Sequence, residues 1–139
     1  MHATLDAPAR PQPGESPATR WGGRVLTGLP VLFMAFDAVI KLVHIPEVAE
    51  ASAQLGWPDR LNPTLAVVIL LCLALYLWPR TAVLGATLFT GYLGGAVAIH
   101  ARIGDPLLTH TLFPVYVGGL LWVGLYLRDA GLRALLSTR

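Results

Sequence analysis

Four apolar runs, at about residues 25–44, 63–78, 81–100 and 111–128, decide what this chain folds into. Each approaches the roughly 20 residues that an α-helix needs to cross about 30 Å of hydrocarbon. Apart from Arg128 at the close of the last run, Asp37 and Lys41 are the only charged residues inside them. Lipid offers the backbone no hydrogen bonds, so runs of this length must satisfy their own N–H and C=O groups as helices. Composition points the same way, with 55% of the 139 residues hydrophobic and 13% charged, against about 25% charged in soluble domains. A soluble domain of this size buries only about two-thirds of its surface and has nowhere to hide so much apolar area. The chain therefore reads as an all-α integral membrane four-helix bundle over 23–133, between a disordered tail at 1–22 and a polar tail at 134–139.

Pro8, Pro11, Pro13 and Pro17 lie among Ala, Gly and Ser, a composition that cannot build a core. A cleaved signal sequence ending near Ala53 is the rival reading of the first run. It fails because the basic region is long and the apolar segment exceeds the usual length of about 7–15 residues. Pro30 falls near the first turn or two of the first span and is placed to kink it. The polar stretch 45–62 carries Glu47, Glu50, Asp59 and Arg60. Within it Glu47–Leu55 has the makings of a short helix on the membrane surface. Pro79-Arg80 marks a very tight turn between the second and third runs.

Four spans put both ends of the chain on one side, and the basic residues choose that side. Seven arginines (10, 20, 24, 80, 128, 133 and 139) flank the terminal ends of the spans, against Arg60 and Arg102 in the opposite loops. Both termini are expected in the cytoplasm, with the loops at 45–62 and 100–110 outside. Trp21, Trp78, Trp122 and Tyr126 then fall near the inner interface and Trp57 near the outer one. The basic residues form no patch with interleaved aromatics, so nucleic acid is not a predicted partner. One cysteine, Cys72, excludes an internal disulfide, a CxxC redox pair and a cysteine-held iron–sulfur cluster within the chain.

Small residues should set the helix contacts, because lipid supplies no hydrophobic force between helices. Gly85, Gly91, Gly94, Gly95, Ala96 and Ala98 in the third run, with Gly91 and Gly95 as a GxxxG pair, and Gly118, Gly119 and Gly124 in the fourth predict a close approach of these two helices. No strand precedes the glycines, so a nucleotide-binding loop is excluded.

The chemistry sits where charge enters the hydrocarbon. Asp37 and Lys41 are four residues apart on one helix face, a spacing that lets them neutralise each other. A lone charge there costs about 2.5–3.5 kcal/mol. Either the pair is structural, or it forms the polar floor of a ligand or proton site. Topology brings further groups to the same outer level, namely His44, His100, Arg102, Asp105, His110 and Tyr116, with Tyr92 about two turns deeper on the third helix. Together with the pair they are expected to line one cavity. His100 and His110 are its candidate acid–base groups, since imidazole titrates near neutrality. Their spacing is not compact enough for a metal site, and none is expected.

Asp37-Ala-Val-Ile-Lys41, the Leu-Tyr-Leu-Trp-Pro79-Arg80-Thr turn, Gly91-Tyr-Leu-Gly-Gly-Ala-Val-Ala-Ile-His100, Arg102-Ile-Gly-Asp105-Pro106 and His110-Thr-Leu-Phe-Pro114 resemble the DoxX-like family of small bacterial membrane proteins. The resemblance runs from about Val25 to Arg133 and implies a four-helix membrane fold. The family's namesake is the small subunit of a thiosulfate:quinone oxidoreductase, while most members have no assigned activity. Relatives often carry an acidic residue midway along the second helix. Here Val67–Cys72 is wholly apolar, so a proton relay through that helix lacks its carboxylate. Two function classes follow. One is a quinone-binding subunit of a membrane redox complex, its electrons supplied by a partner subunit. In it Lys41 or His100 bonds a quinone carbonyl and Tyr92 or Tyr116 stacks on the ring. The other is a non-enzymatic protein that binds a lipid or small molecule, or that helps assemble a larger complex. A solo transporter is a weaker third reading and would require a homodimer.

The charge asymmetry makes a direct prediction about orientation. An alkaline phosphatase fused to the C-terminus should be inactive in cells, and a periplasmically active fusion would reverse the assignment.

Overall fold

A computed structural model describes residues 17–137. Six helices follow one another: α1 (Pro17–Val43), α2 (Pro46–Gln54), α3 (Asn62–Leu77), α4 (Ala82–Arg102), α5 (Phe113–Arg128) and α6 (Ala130–Ser137). No strand occurs among the described residues. Helices α1, α3, α4 and α5, the second and last extended by short turns, are long and apolar enough to cross a membrane. They form a ring in which α1 packs on α3 and α5, and α4 packs on the same two. The expected tail at 1–22 lies mostly outside the described residues, and α1 begins inside it at Pro17. Likewise the stretch expected to be a polar tail after 133 is helical to Ser137. Pro30 lies well inside α1 rather than near its first turn and is fully buried.

Outward-facing side chains define the solvent. Leu32 is 71% exposed and Phe36 63%, and large apolar residues on all four long helices share that exposure. A surface of this kind is stable in lipid and a liability in water. The interior is built of Met34, Ala38, Ala66, Ile69, Tyr76, Ala86, Phe89, Leu121 and Leu125. Tyr76 is fully buried on α3, and its hydroxyl reaches across the bundle to donate to the Leu121 carbonyl at 2.6 Å. Phe89 meets its ring edge-on, with centroids 6.3 Å apart. Arg128 closes the end of α3, donating to the Tyr76 carbonyl at 2.5 Å with its guanidinium 4.5 Å from the Tyr76 ring centre. A cation there also answers the partial negative charge at a helix C-terminus.

Glycine acts at two crossings, and they are not the predicted pair. A Cβ on Gly85 would stand 2.3 Å from the Tyr76 nitrogen, so α3 and α4 meet backbone to backbone just beyond the Pro79-Arg80 turn. A Cβ on Gly124 would stand 2.6 Å from Thr27 Oγ1, which sets the approach of α5 to α1. Helices α4 and α5 do touch, and a Cβ on Gly118 would lie 3.4 Å from Leu93 Cδ1, but Gly91, Gly94, Gly95 and Gly119 have nothing within 4 Å of where a Cβ would be. The contact is made by side chains, and Trp122 Nε1 donates to Thr90 Oγ1 across it at 2.9 Å.

The start of α1 lies beside the end of α5, since a Cβ on Gly23 would be 3.3 Å from Leu127 Cβ. This terminal end carries exposed Trp21, Trp78 and Tyr126. The opposite, loop end holds α2, the turn at 59–61 and the α4–α5 connection. That connection contains a single π turn, in which Thr111 N–H donates to the Pro106 carbonyl and Leu112 N–H to the Leu107 carbonyl.

The two kinds of glycine should separate by mutation. Gly85→Ala is expected to cost at least about 1–3 kcal/mol through overpacking. Gly94→Ala should be neutral or stabilising by up to ~1 kcal/mol. Thermal unfolding of both variants in detergent checks the contrast.

Candidate functional site

The site begins with a charge pair in the second half of α1. Lys41 Nζ donates to Asp37 Oδ1 one turn away, and the side chains are only 16% and 22% exposed. Pairing cancels the net charge while the ammonium keeps two further N–H donors. Both residues face a cavity of about 650 Å³ at the loop end of the bundle. That volume falls within the range typical of small-molecule pockets, about 300–1,000 Å³. Its floor is made by Met34, Leu93 and Val117, and its sides include Phe33 and Phe113. Those two rings meet edge-on with centroids 5.3 Å apart, joining α1 to the start of α5.

Helix α2 forms one wall. Val48, Ala51, Ser52 and Leu55 recur at helical spacing along one face and all line the cavity, as does Glu47. Left-handed residues bracket α2, His44 with φ 56° before it and Gly56 with φ 65° after it. Histidine is among the side chains that tolerate this conformation. Three polar ties hold the segment in place. Asn62, 1% exposed at the start of α3, donates to Ser52 Oγ and to Asp59 Oδ1, each at 2.8 Å. Arg102 donates to the Leu55 carbonyl at 2.8 Å. His44 Nε2 lies 3.5 Å from Asp59 Oδ2.

Helix α4 supplies the facing wall through Gly91, Tyr92, Gly95, Ala96, Ile99 and His100. The open space beside Gly91 and Gly95 is therefore cavity rather than a helix crossing, which is why these glycines do not pack. His100 Nδ1 pairs with Asp105 Oδ2 at 2.5 Å. The carboxylate fixes the ring and leaves Nε2 as the nitrogen that Asp105 does not engage. Chain geometry makes this pairing possible, because α4 ends at Arg102 and left-handed Gly104 (φ 74°) turns Asp105 back toward His100.

Of the nine residues that sequence reasoning nominated, Asp37, Lys41, Tyr92 and His100 line the cavity. The other five sit at the same end but outside its walls. Asp105 holds His100, Arg102 holds the end of α2, and His44 pairs with Asp59. His110 bonds to Thr109 Oγ1 at 2.8 Å, with its ring centre 6.5 Å from that of His100. Tyr116 donates to the Leu108 carbonyl at 3.1 Å and so braces the π turn. Sequence reasoning missed Ser52, Trp57 and Asn62. A polar residue that opens an apolar run next to a proline, as Asn62 does, was the one available signal. Among the described residues no three His, Cys, Asp or Glu side chains converge as metal ligands do.

A ring of four membrane-length helices with a part-polar cavity at one end defines a small multi-pass membrane protein with a ligand-sized site. A family model described as the DoxX-like family matches residues 25–124, and the chain belongs to that family. No curated protein and no solved structure matches the chain.

Asp37→Asn strips Lys41 of its counter-charge and is expected to cost about 2.5–3.5 kcal/mol of stability. Adding Lys41→Met should recover part of that loss. Melting temperatures of the two single variants and the double variant measure the coupling, and strict additivity would overturn the pairing.

Proposed function

We propose that this DoxX-like membrane protein is a quinone-binding subunit of a membrane redox complex, with its site near the outer face of a bacterial cytoplasmic membrane. The observation that carries the reading is one cavity combining an apolar interior with a neutralised Lys41 and a carboxylate-held His100. Quinones are flat, largely apolar molecules with carbonyl oxygens that accept hydrogen bonds and take up protons on reduction. The aromatic and aliphatic walls suit the ring. Lys41 offers N–H donors to one carbonyl without bringing net charge into the low-dielectric space. His100, oriented by Asp105, is the group suited to exchange protons with bound ligand. Tyr92, about two turns deeper than His100 on the same helix, gives the ring an aromatic neighbour. A bundle builds its sites from side chains on facing helices in this way. Bound quinone supplies the electron-accepting chemistry, and a partner subunit supplies the electrons.

The experiment is a lipid extract of the gently purified protein, read by the ultraviolet change of quinone on borohydride reduction. Near-stoichiometric quinone in the wild type, reduced at least about fivefold in Lys41→Ala, is the expected result. A wild type carrying phospholipid but no quinone would replace this reading with that of a lipid-binding or assembly subunit.

A further inference from the structure

The cavity does not end inside the bundle. At about 100° per residue around α4, Gly85 marks the side that meets α3 and Thr90 the side that meets α5. The α4 residues that line the cavity run from His100 and Ala96 on the core face, through Tyr92 and Ile99, to Gly95 and then Gly91. This sweep turns past α3 and ends on the side of α4 away from the core, opposite buried Phe89. Leu84 and Leu88 precede the two glycines on the same stripe, at steps of four, three and four residues, and both are exposed outside the cavity. A stripe that faces lipid in its first half therefore borders the cavity in its second.

We propose that the cavity opens sideways into the bilayer between α3 and α4, at Gly91 and Gly95, and that the apolar tail of its ligand lies in this opening. The ligand class is then a lipid-soluble molecule with a carbonyl-bearing head and a hydrocarbon chain. This rests on the quinone reading for the head, and it adds where the chain lies and how the molecule enters.

Three other borders of the cavity are bridged. Phe33 against Phe113 joins α1 to α5. Trp122 bonded to Thr90, and Leu93 against Gly118, join α4 to α5. The α2 segment roofs the loop end, tied by Asn62 and Arg102. Helices α3 and α4 instead meet backbone to backbone at Gly85 and Tyr76, toward the terminal end. Gly91 and Gly95 lie about 9 and 15 Å further along α4, and α3 lines the cavity through Asn62 and Leu65, in its first turn. The two glycines withhold the side chains that would fill this seam, with nothing within 4 Å of where their Cβ atoms would be. A hydrocarbon chain placed there exchanges lipid contacts for protein contacts at little cost, while the head gains the donors inside. Entry from lipid also leaves the ties of α2 unbroken, whereas a water-borne ligand would have to pass that roof.

The opening is tested with lipid itself. Gly95→Cys and Leu88→Cys, each on a Cys72→Ala background, carry a bimane label in vesicles of phosphatidylcholine with brominated acyl chains. Bromine quenches by contact, so quenching at Gly95→Cys comparable to that at lipid-facing Leu88→Cys is expected. Quenching at Leu88→Cys without quenching at Gly95→Cys would overturn the opening, whether or not the protein binds quinone. The place of the chain is tested by bulk. Gly95→Trp fills the opening, while Gly94→Trp adds the same bulk outside the cavity lining. After loading with decylubiquinone in detergent, Gly95→Trp should retain at least about fivefold less quinone than the wild type, and Gly94→Trp the wild-type amount. Melting temperatures of both variants should match the wild type. Equal retention in the two variants would overturn the placement of the chain. If the wild type retains no decylubiquinone, the quinone reading fails by that result, and quenching at Gly95→Cys then upholds or overturns the opening by itself.

Discussion

Inside hydrocarbon every polar group must be answered by another protein group, and the architecture follows from how this chain meets that demand. The backbone is satisfied by helices. Asp37 and Lys41 answer each other within α1. Tyr76 answers the Leu121 carbonyl across the bundle, and Arg128 answers the Tyr76 carbonyl near the end of α3. The last two tie α3 to α5 across the bundle and would be lost if either helix stood elsewhere, so polar satisfaction helps select the ring order α1–α3–α4–α5. Leu, Val and Phe gain little by facing protein rather than lipid. Accordingly, many of the largest apolar side chains point outward and the interior is rich in alanine, with Gly85 and Gly124 at the closest crossings.

That economy holds only where helices meet closely. At the loop end they part, and the space between them is the cavity. Gly91 and Gly95 widen it by withholding side chains, while α2 supplies a wall that no membrane span provides. The α2 segment is tied down by Asn62, Arg102 and the turn at Gly56, all polar or backbone contacts. Such contacts serve near the polar boundary of a membrane, where water can share in them, and would be poorly placed at the bundle centre. The two ends of the molecule therefore do different work, the terminal end sealing helices and the loop end holding a chamber.

Much of this was legible in the sequence because membrane constraints are length and charge constraints. Four runs near 20 residues, two charges spaced i, i+4, and a proline turn at Pro79 fix the spans, the pair and the shortest connection. Residues Asp37, Lys41, Tyr92 and His100 could be placed toward one end of the bundle because a helix advances about 1.5 Å per residue. What stayed hidden was rotation about each helix axis. Lipid-exposed and buried faces of α3 differ little in hydropathy, so periodicity gives no phase. Gly91 and Gly95 consequently looked like a contact with α5 when they face the cavity, and Gly85 showed nothing to distinguish it. Trp57 read as an interfacial anchor because its residue type suits that role. Only the folding of α2 beside the cavity buries its nitrogen.

Neutrality is what makes the chamber chemically useful. An isolated ammonium facing a low-dielectric space would draw in water or an anion, or lose its proton. Asp37 removes that pressure from Lys41 while occupying only one of its three donors. Asp105 does the corresponding work for His100, holding one ring nitrogen and leaving the other. Lys41 and His100 are thus each backed by a carboxylate from its own helix or the loop that follows it, and neither carboxylate depends on a ligand for its position. Apart from Glu47, which is exposed, the site is polar enough to hold a carbonyl group and close enough to neutral to stay in lipid. Those two properties conflict in a chain with unpaired charges, and the pairings on α1 and at the end of α4 reconcile them.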